Sequence, residues 1–295
     1  MKNKYSLLSP LLTLAFLGLG QHHNGQTIKG LFFLFGGYFI ILICGLAGLF
    51  VHFYGMVAGL LILVSYKAFA CFDAYRGSEN IETTRSKTLR SILFYFIHII
   101  IYLLLATTAP PLIRYFIGFE TFEIPTSSMY PTLEVGDKIL ATNIEHEKIQ
   151  LGDIITFHQS DGQIYLGRVL ALPNQDIKVK NDQVIFENGK EKWEKTTTTY
   201  EQGINYQNYY CTLPNGKTYY VRQVVLSETQ KFGSDNKPTI NSYSVPEAHV
   251  FIMSDQRSHS LDSRNYGAIK LNGPIKKVNY IWWSHSIDRV GLKLD

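Results

Sequence analysis

Ile124-Pro125-Thr126-Ser127-Ser128-Met129-Tyr130-Pro131-Thr132-Leu133 lies between the last long apolar run of the chain and a half patterned in short strands. Its hydroxyls cap no helix, because Pro131 follows Ser128 too closely for a regular helix to continue. Read blandly, the stretch is a Ser/Thr-rich turn. Read sharply, it presents Ser128 as a nucleophile on a loop held between two prolines. The flanking sequence decides between the two.

Upstream, four apolar runs fill the first 118 residues: about 5–20, 30–53, 56–72 and 91–113. The last spans comfortably at the ~20 residues that a bilayer demands. The third carries Lys67, whose stem can snorkel toward a headgroup region. The first resembles a signal peptide, since Lys2 and Lys4 precede it, but Leu-Gly-Leu-Gly-Gln follows in place of a small-x-small cleavage site, so we expect it to be retained. Residues 1–118 hold nine Lys/Arg and three Asp/Glu, a net of +6. The other 177 hold 19 and 21, a net of −2. The basic surplus therefore belongs to the apolar half and sets topology, with no basic stripe to suggest nucleic acid. Arg76, Arg85, Lys87 and Arg90 keep the loop between runs three and four in the cytoplasm, which sends the soluble half to the outer face. Four complete spans would then put the N-terminus outside, against the preference of Lys2 and Lys4. Either run one lies in the interface or the charge rule is broken.

Downstream of residue 118 the pattern turns to strands. Val135-Gly-Asp137-Lys-Ile-Leu and Leu151-Gly-Asp153-Ile-Ile-Thr each lead a Gly-Asp turn into a β-rich segment, and 164–170 is a further strand. Ile177-Lys-Val-Lys180 and Gln183-Val-Ile-Phe186, joined by Asn181-Asp182, read as a hairpin. The expected fold is a mainly β soluble domain, barrel or sandwich, at 119–295, after an α-helical membrane region of three or four spans. Residues of about 187–245, polar and rich in threonine and tyrosine, read as an inserted subdomain. Cys44, Cys71 and Cys211 give no disulfide framework and no metal-ligand spacing.

With these residues in view, the chain resembles bacterial signal peptidase I, the membrane-bound serine endopeptidase that removes signal peptides from exported preproteins. Pro125–Leu133, Leu151–Phe157, Tyr165–Pro173 and Ser254–Gly267 carry the resemblance in order. It implies Ser128 as nucleophile and Thr126 as the hydroxyl that joins the backbone N–H of Ser128 in an oxyanion hole. It implies Ser260 as the hydroxyl that orients the base, and Asp262 and Arg264 as a supporting ion pair. It also implies no metal and no cofactor, exported preproteins and the bilayer as partners, and the bacterial cytoplasmic membrane as location, with the soluble half outside.

One position departs. The family's general base is a lysine just before the arginine of the third motif, and here that residue is Gly167, followed by Arg168. An arginine does not deprotonate in proteins and cannot replace it. The motif also departs at Ala171 and Asn174-Gln175, and the fourth begins Ser254-Asp255-Gln256-Arg257 where Gly-Asp-Asn-Arg is usual. His158 is the candidate substitute base; His259 is as near in sequence, but on an extended chain it faces away if Ser260 faces in. Two expectations follow: a signal peptidase cutting after small residues with a relocated base, or a pseudoprotease that binds signal-peptide-like segments as an added strand.

Overall fold

The computed structural model describes residues 7–78, 89–158, 162–225, 240–258 and 260–294. Arg85 and Lys87 of the charged loop, and His259, lie outside them. The chain divides into two compact units, 1–119 and 120–295.

In the first unit, three helices are long and apolar enough to cross a membrane: α3 (Thr27–Leu46), α4 (Phe53–Ser78) and, within α5 (Leu89–Ile117), the stretch Ile92–Ile117. The first apolar run does not form such a helix. It gives α1 (Leu8–Ala15) and α2 (Leu19–His23), and eight residues of helix rise only ~12 Å, against a hydrocarbon core of ~30 Å. Its composition explains the difference. Buried Ser9, Thr13 and Gln21 interrupt the apolar surface and need partners. They find them locally. Gln21 donates to the carbonyl of Ala70 at 2.6 Å, Thr13 bonds Gln21 at 3.2 Å, and Asn24 donates to the carbonyl of Ala74 at 2.7 Å. These bonds tie the short pair to α4. His22 meets the hydroxyl of Thr27 and packs edge-on against Tyr95, and His23 bonds the Tyr95 hydroxyl.

The second unit is built on a seven-stranded sheet in the order β1-β2-β14-β3-β4-β12-β13. Its strands are β1 (Phe119–Glu123), β2 (Lys138–Asn143), β3 (Ile154–His158), β4 (Ile164–Ala171), β12 (His249–Met253), β13 (Ile269–Lys270) and β14 (Lys276–Trp283). The hairpin read from the sequence forms as β5 (Asp176–Lys180) and β6 (Gln183–Phe186). It pairs with β7 (Gly189–Lys190) and β11 (Ile240–Ser244) in a four-stranded sheet. Asn181 and Asp182 both take positive φ, as a two-residue hairpin turn requires. The Thr/Tyr-rich stretch forms a three-stranded antiparallel sheet of β8 (Lys192–Glu201), β9 (Ile204–Thr212) and β10 (Thr218–Val224).

The two Gly-Asp turns are built alike. Gly136 and Gly152 take left-handed φ of 87° and 91°, and the following carboxylate accepts the N–H three residues back, Glu134 to Asp137 and Gln150 to Asp153, each at 2.9 Å.

Alternation along β3 and β4 separates two cores. Ile154 and Leu166 join Ile124, Met129, Leu133 and Ile139 on one face. Ile155, Phe157, Tyr165 and Val169 join Val250 and Ile252 on the other. A third core, with Cys211, Tyr219 and Val221, joins the smaller sheets to Leu170, Phe251 and Met253. Burial there pushes the Cys211 thiol up, so it packs as a small apolar group.

Candidate active site

Thr126 is extended, and Ser127–Met129 form a single 3₁₀ turn whose closing bond runs from the N–H of Tyr130 to the carbonyl of Ser127 at 3.0 Å. Met129 and Leu133 anchor the loop, at 1% and 0% exposure, while Thr126 is exposed and Ser128 half-buried. The hydroxyls of Thr126 and Ser128 lie 3.1 Å apart. Anchoring from behind therefore leaves the hydroxyl pair facing outward.

The Ser254–Arg264 segment meets this loop from the other side. The N–H of Gln256 donates to the carbonyl of Ser128 at 2.9 Å, and Ser260 donates its hydroxyl to the carbonyl of Gln256 at 2.7 Å. Ser128, through its carbonyl, and Ser260, through its hydroxyl, are thus both tied to the backbone of Gln256. Asp262 caps α6 (Ser263–Tyr266) with a capping box, takes the N–H of Ser254 at 3.0 Å, and receives Arg264 in a two-point pair, 2.8 Å at each oxygen. Arg264 continues to Asp182 in the hairpin turn at 2.5 Å. Burial works against the Arg264 charge, and Asp262 and Asp182 outweigh it, so its pKa rises.

Gly167 lies on β4 opposite Ile155 and is buried. A β-carbon there would meet Ile252 Cδ1 at 3.3 Å, and Ile252 Cβ and the carbonyl of Met253 at 3.6 Å. The position thus faces the start of the segment that holds Ser128 and Ser260, through an apolar wall. The structure sets His158 apart from it. His158 is exposed at the end of β3, paired with Ile164, and shares its face with Ile154 and Thr156, whereas Gly167 shares its face with Ile155 and Phe157. His158 thus lies on the sheet face that also packs Met129 and Leu133 of the serine loop, and Gly167 lies on the other. Lys138, an amine ten residues after Ser128 in sequence, pairs with Glu123 at 3.8 Å and stands over the ring of Trp283.

Several residues of the site were invisible as site residues in the sequence. Arg168, next to the glycine, is a buried brace. It bonds both oxygens of Asp255 at 2.8 and 2.7 Å and the carbonyl of Gly152 at 2.8 Å, and Asp255 also takes the hydroxyl of Thr132 at 2.5 Å. Burial opposes its charge and Asp255 more than compensates, which raises its pKa. Arg257 is held by fully buried Glu191 at 3.2 Å and by the hydroxyl of Tyr219 at 2.7 Å. Arg222, from β10, lies over the rings of Tyr130 at 4.5 Å and Tyr206 at 3.7 Å, and its backbone pairs with the 255–257 segment. Glu191, Tyr219 and Arg222 come from a stretch whose sequence has no motif, so only their charge or aromatic character could have flagged them.

Asp153 supports the same corner. Burial alone would raise its pKa, but Lys217 at 2.7 Å, Lys277 at 2.8 Å and the N–H of Gln150 hold the carboxyl below its usual range. A depressed folded pKa adds stability that is present above the ordinary carboxylate value and is lost as pH falls through the folded one. Asp153→Asn should therefore cost about 1–3 kcal/mol at neutral pH. The variant should also show a smaller fall in thermal midpoint between neutral pH and pH 3 than the natural protein. An equal fall in both would remove Asp153 from the account.

A sequence model of the family described as signal peptidase, peptidase S26, matches residues 92–283. Signal peptidase I of Rickettsia akari is 30% identical over 196 residues, covering 57% of this chain and 73% of that protein. Signal peptidase I of Bacillus caldolyticus is 29% identical over 169 residues, covering 56% and 80%, and that of Rickettsia massiliae is 28% identical over 237 residues, covering 71% and 85%. The matched span takes in the serine loop, the buried arginine–aspartate brace and the capped Asp262–Arg264 pair, and on this evidence the chain belongs to the signal peptidase family, peptidase S26.

Proposed function

We propose that this protein removes signal peptides from exported preproteins at the outer face of the bacterial cytoplasmic membrane, cutting after small residues. Ser128 is the nucleophile, Thr126 and the N–H of Ser128 receive the oxyanion, and Ser260 orients the proton acceptor. Asp262 and Arg264 hold the segment that carries Ser260. The observation that carries the reading is the convergence of the Thr126–Ser128 hydroxyl pair, 3.1 Å apart, and Ser260 on the backbone of Gln256. An acyl transfer needs this arrangement: donors fixed where charge develops and an attacking oxygen beside them. Three spans also suit the charges. With α5 leaving the cytoplasm toward the soluble unit, α3 begins on the inside, where Lys2, Lys4 and Lys29 belong.

Gly167 favours a second reading, in which the protein holds a signal-peptide-like segment and does not cut it. Glycine supplies no proton acceptor, and the wall around it is Ile155, Phe157 and Ile252. One experiment separates the readings: a model preprotein is incubated with the detergent-purified full chain and with Ser128→Ala. Cleavage that disappears in Ser128→Ala is the outcome expected of the peptidase. Unchanged turnover in Ser128→Ala would sink the assignment of Ser128, and binding without any cleavage would establish the second reading.

A further inference from the structure

A cavity of about 780 Å³ opens beside the serine loop, between Pro131 and Thr132 and the three-stranded sheet of β8, β9 and β10. We infer that this cleft receives the extended, polar stretch of polypeptide that follows the cut, as a subsite for the first part of the mature protein. The inference rests on the proposed handling of preproteins and adds to it where the downstream chain goes.

The lining decides the class of ligand. Pro131 belongs to the serine loop itself, so a segment leaving Ser128 on this side enters the cleft within about 10 Å of extended chain. Beyond it the wall is Thr196, Thr197, Asn208, Tyr210 and Tyr220. Tyrosine rings among hydroxyls and amides give rigid contact area together with adaptable hydrogen bonding, a surface that suits a polypeptide of variable sequence. The cleft also carries Leu292 and Leu294 beside Glu134, Arg289 and Lys293, a mixture of apolar, polar and charged groups unlike the uniformly apolar path that the core of a signal peptide needs. The residues after the cut belong to a soluble protein and do match it.

The polar groups of the sheet are also incompletely used. In β8 the ladder slips between Lys195 and Thr198, taking Thr196 and Thr197 out of register. Asn208 spends its Nδ2 on Thr197 at 3.0 Å, but its buried Oδ1 has no partner. Arg222, directly across the strands, is engaged by Glu201 at 2.6 Å, by Thr199 at 3.2 Å and by the rings of Tyr130 and Tyr206, so it leaves that oxygen open. A buried acceptor left open in the wall of the cleft is what the N–H of a bound peptide unit would satisfy.

The test uses the full chain in detergent with Ser128→Ala, so that bound chains stay whole. The two probes are a preprotein with its mature region and the same signal peptide ended at the cut. Tyr210→Ala/Tyr220→Ala should weaken preprotein binding about tenfold and leave the shortened peptide unaffected. A photo-reactive p-benzoylphenylalanine in place of Tyr220, which is 49% exposed, should give adducts at residues after the cut. Adducts confined to the signal peptide, or equal weakening of both probes, or weakening of neither, would overturn the cleft. Failure of the Ser128→Ala protein to bind either probe would instead overturn the preprotein reading on which the cleft rests.

Discussion

Gly167→Lys combined with Ile252→Ala should raise Ser128-dependent cleavage of a model preprotein by at least about a hundredfold over the natural protein. In a serine protease, loss of the base alone costs on the order of 10⁶ in kcat, so restoring a proton acceptor has a large range in which to act. Residue 167 is a strand residue with no left-handed backbone, so a side chain is compatible with it; the obstacle is Ile252, 3.3 Å from the β-carbon to be added. Gly167→Lys alone therefore has to displace a branched side chain in a packed wall and should gain less than the pair. Ile252→Ala alone should gain nothing. The lysine would leave the backbone beside Ile252 on an apolar sheet face, where desolvation lowers an amine's pKa and makes it a base near neutral pH. A pair variant with no gain, though folded, would mean that position 167 has lost its line of approach to Ser128.

The second large effect is on stability. Arg257→Met should cost about 3–5 kcal/mol, because it leaves Glu191 charged in a fully buried site. For a unit of this size that lowers the thermal midpoint by roughly 10 °C or more, read from unfolding of the full chain in detergent. Glu191 would keep Trp193 Nε1, the N–H of Val184 and the hydroxyl of Tyr219 as donors, but no cation. Adding Glu191→Gln should recover part of the loss, since the uncompensated charge is then gone. Additive losses would show that the two residues act independently, against the shared geometry.

Much of the fold was legible because it rests on short-range signals. Gly-Asp turns, the Asn181-Asp182 hairpin and the apolar runs each depend on residues within one element. The first apolar run left two readings open for a comparable reason. Gln21 and Asn24 are placed by carbonyls some fifty residues away, those of Ala70 and Ala74, and no window on the sequence contains both ends of such a bond. The serine loop was legible as a motif, and so was Gly167 as a departure from one. The bracing of the site was not, because Arg257 meets Glu191 and Tyr219, and Arg222 meets Tyr130, across long stretches of chain. His158 stood out by nearness along the sequence, and strand alternation places it on the face opposite Gly167, the one that packs Met129 and Leu133.

Among the described strands β14 comes latest in sequence, yet in the sheet it stands between β2 and β3, pairing with both. Until residues 276–283 have been synthesised, β2 and β3 each present an open edge and the central sheet cannot close. The pairings of β14 with β2 and β3 are long-range, which slows folding and prolongs the exposure of those edges. A chain cut short by even its final twenty or so residues would therefore lose the middle of the sheet and not its rim, and the serine loop anchored on the same core would have no floor.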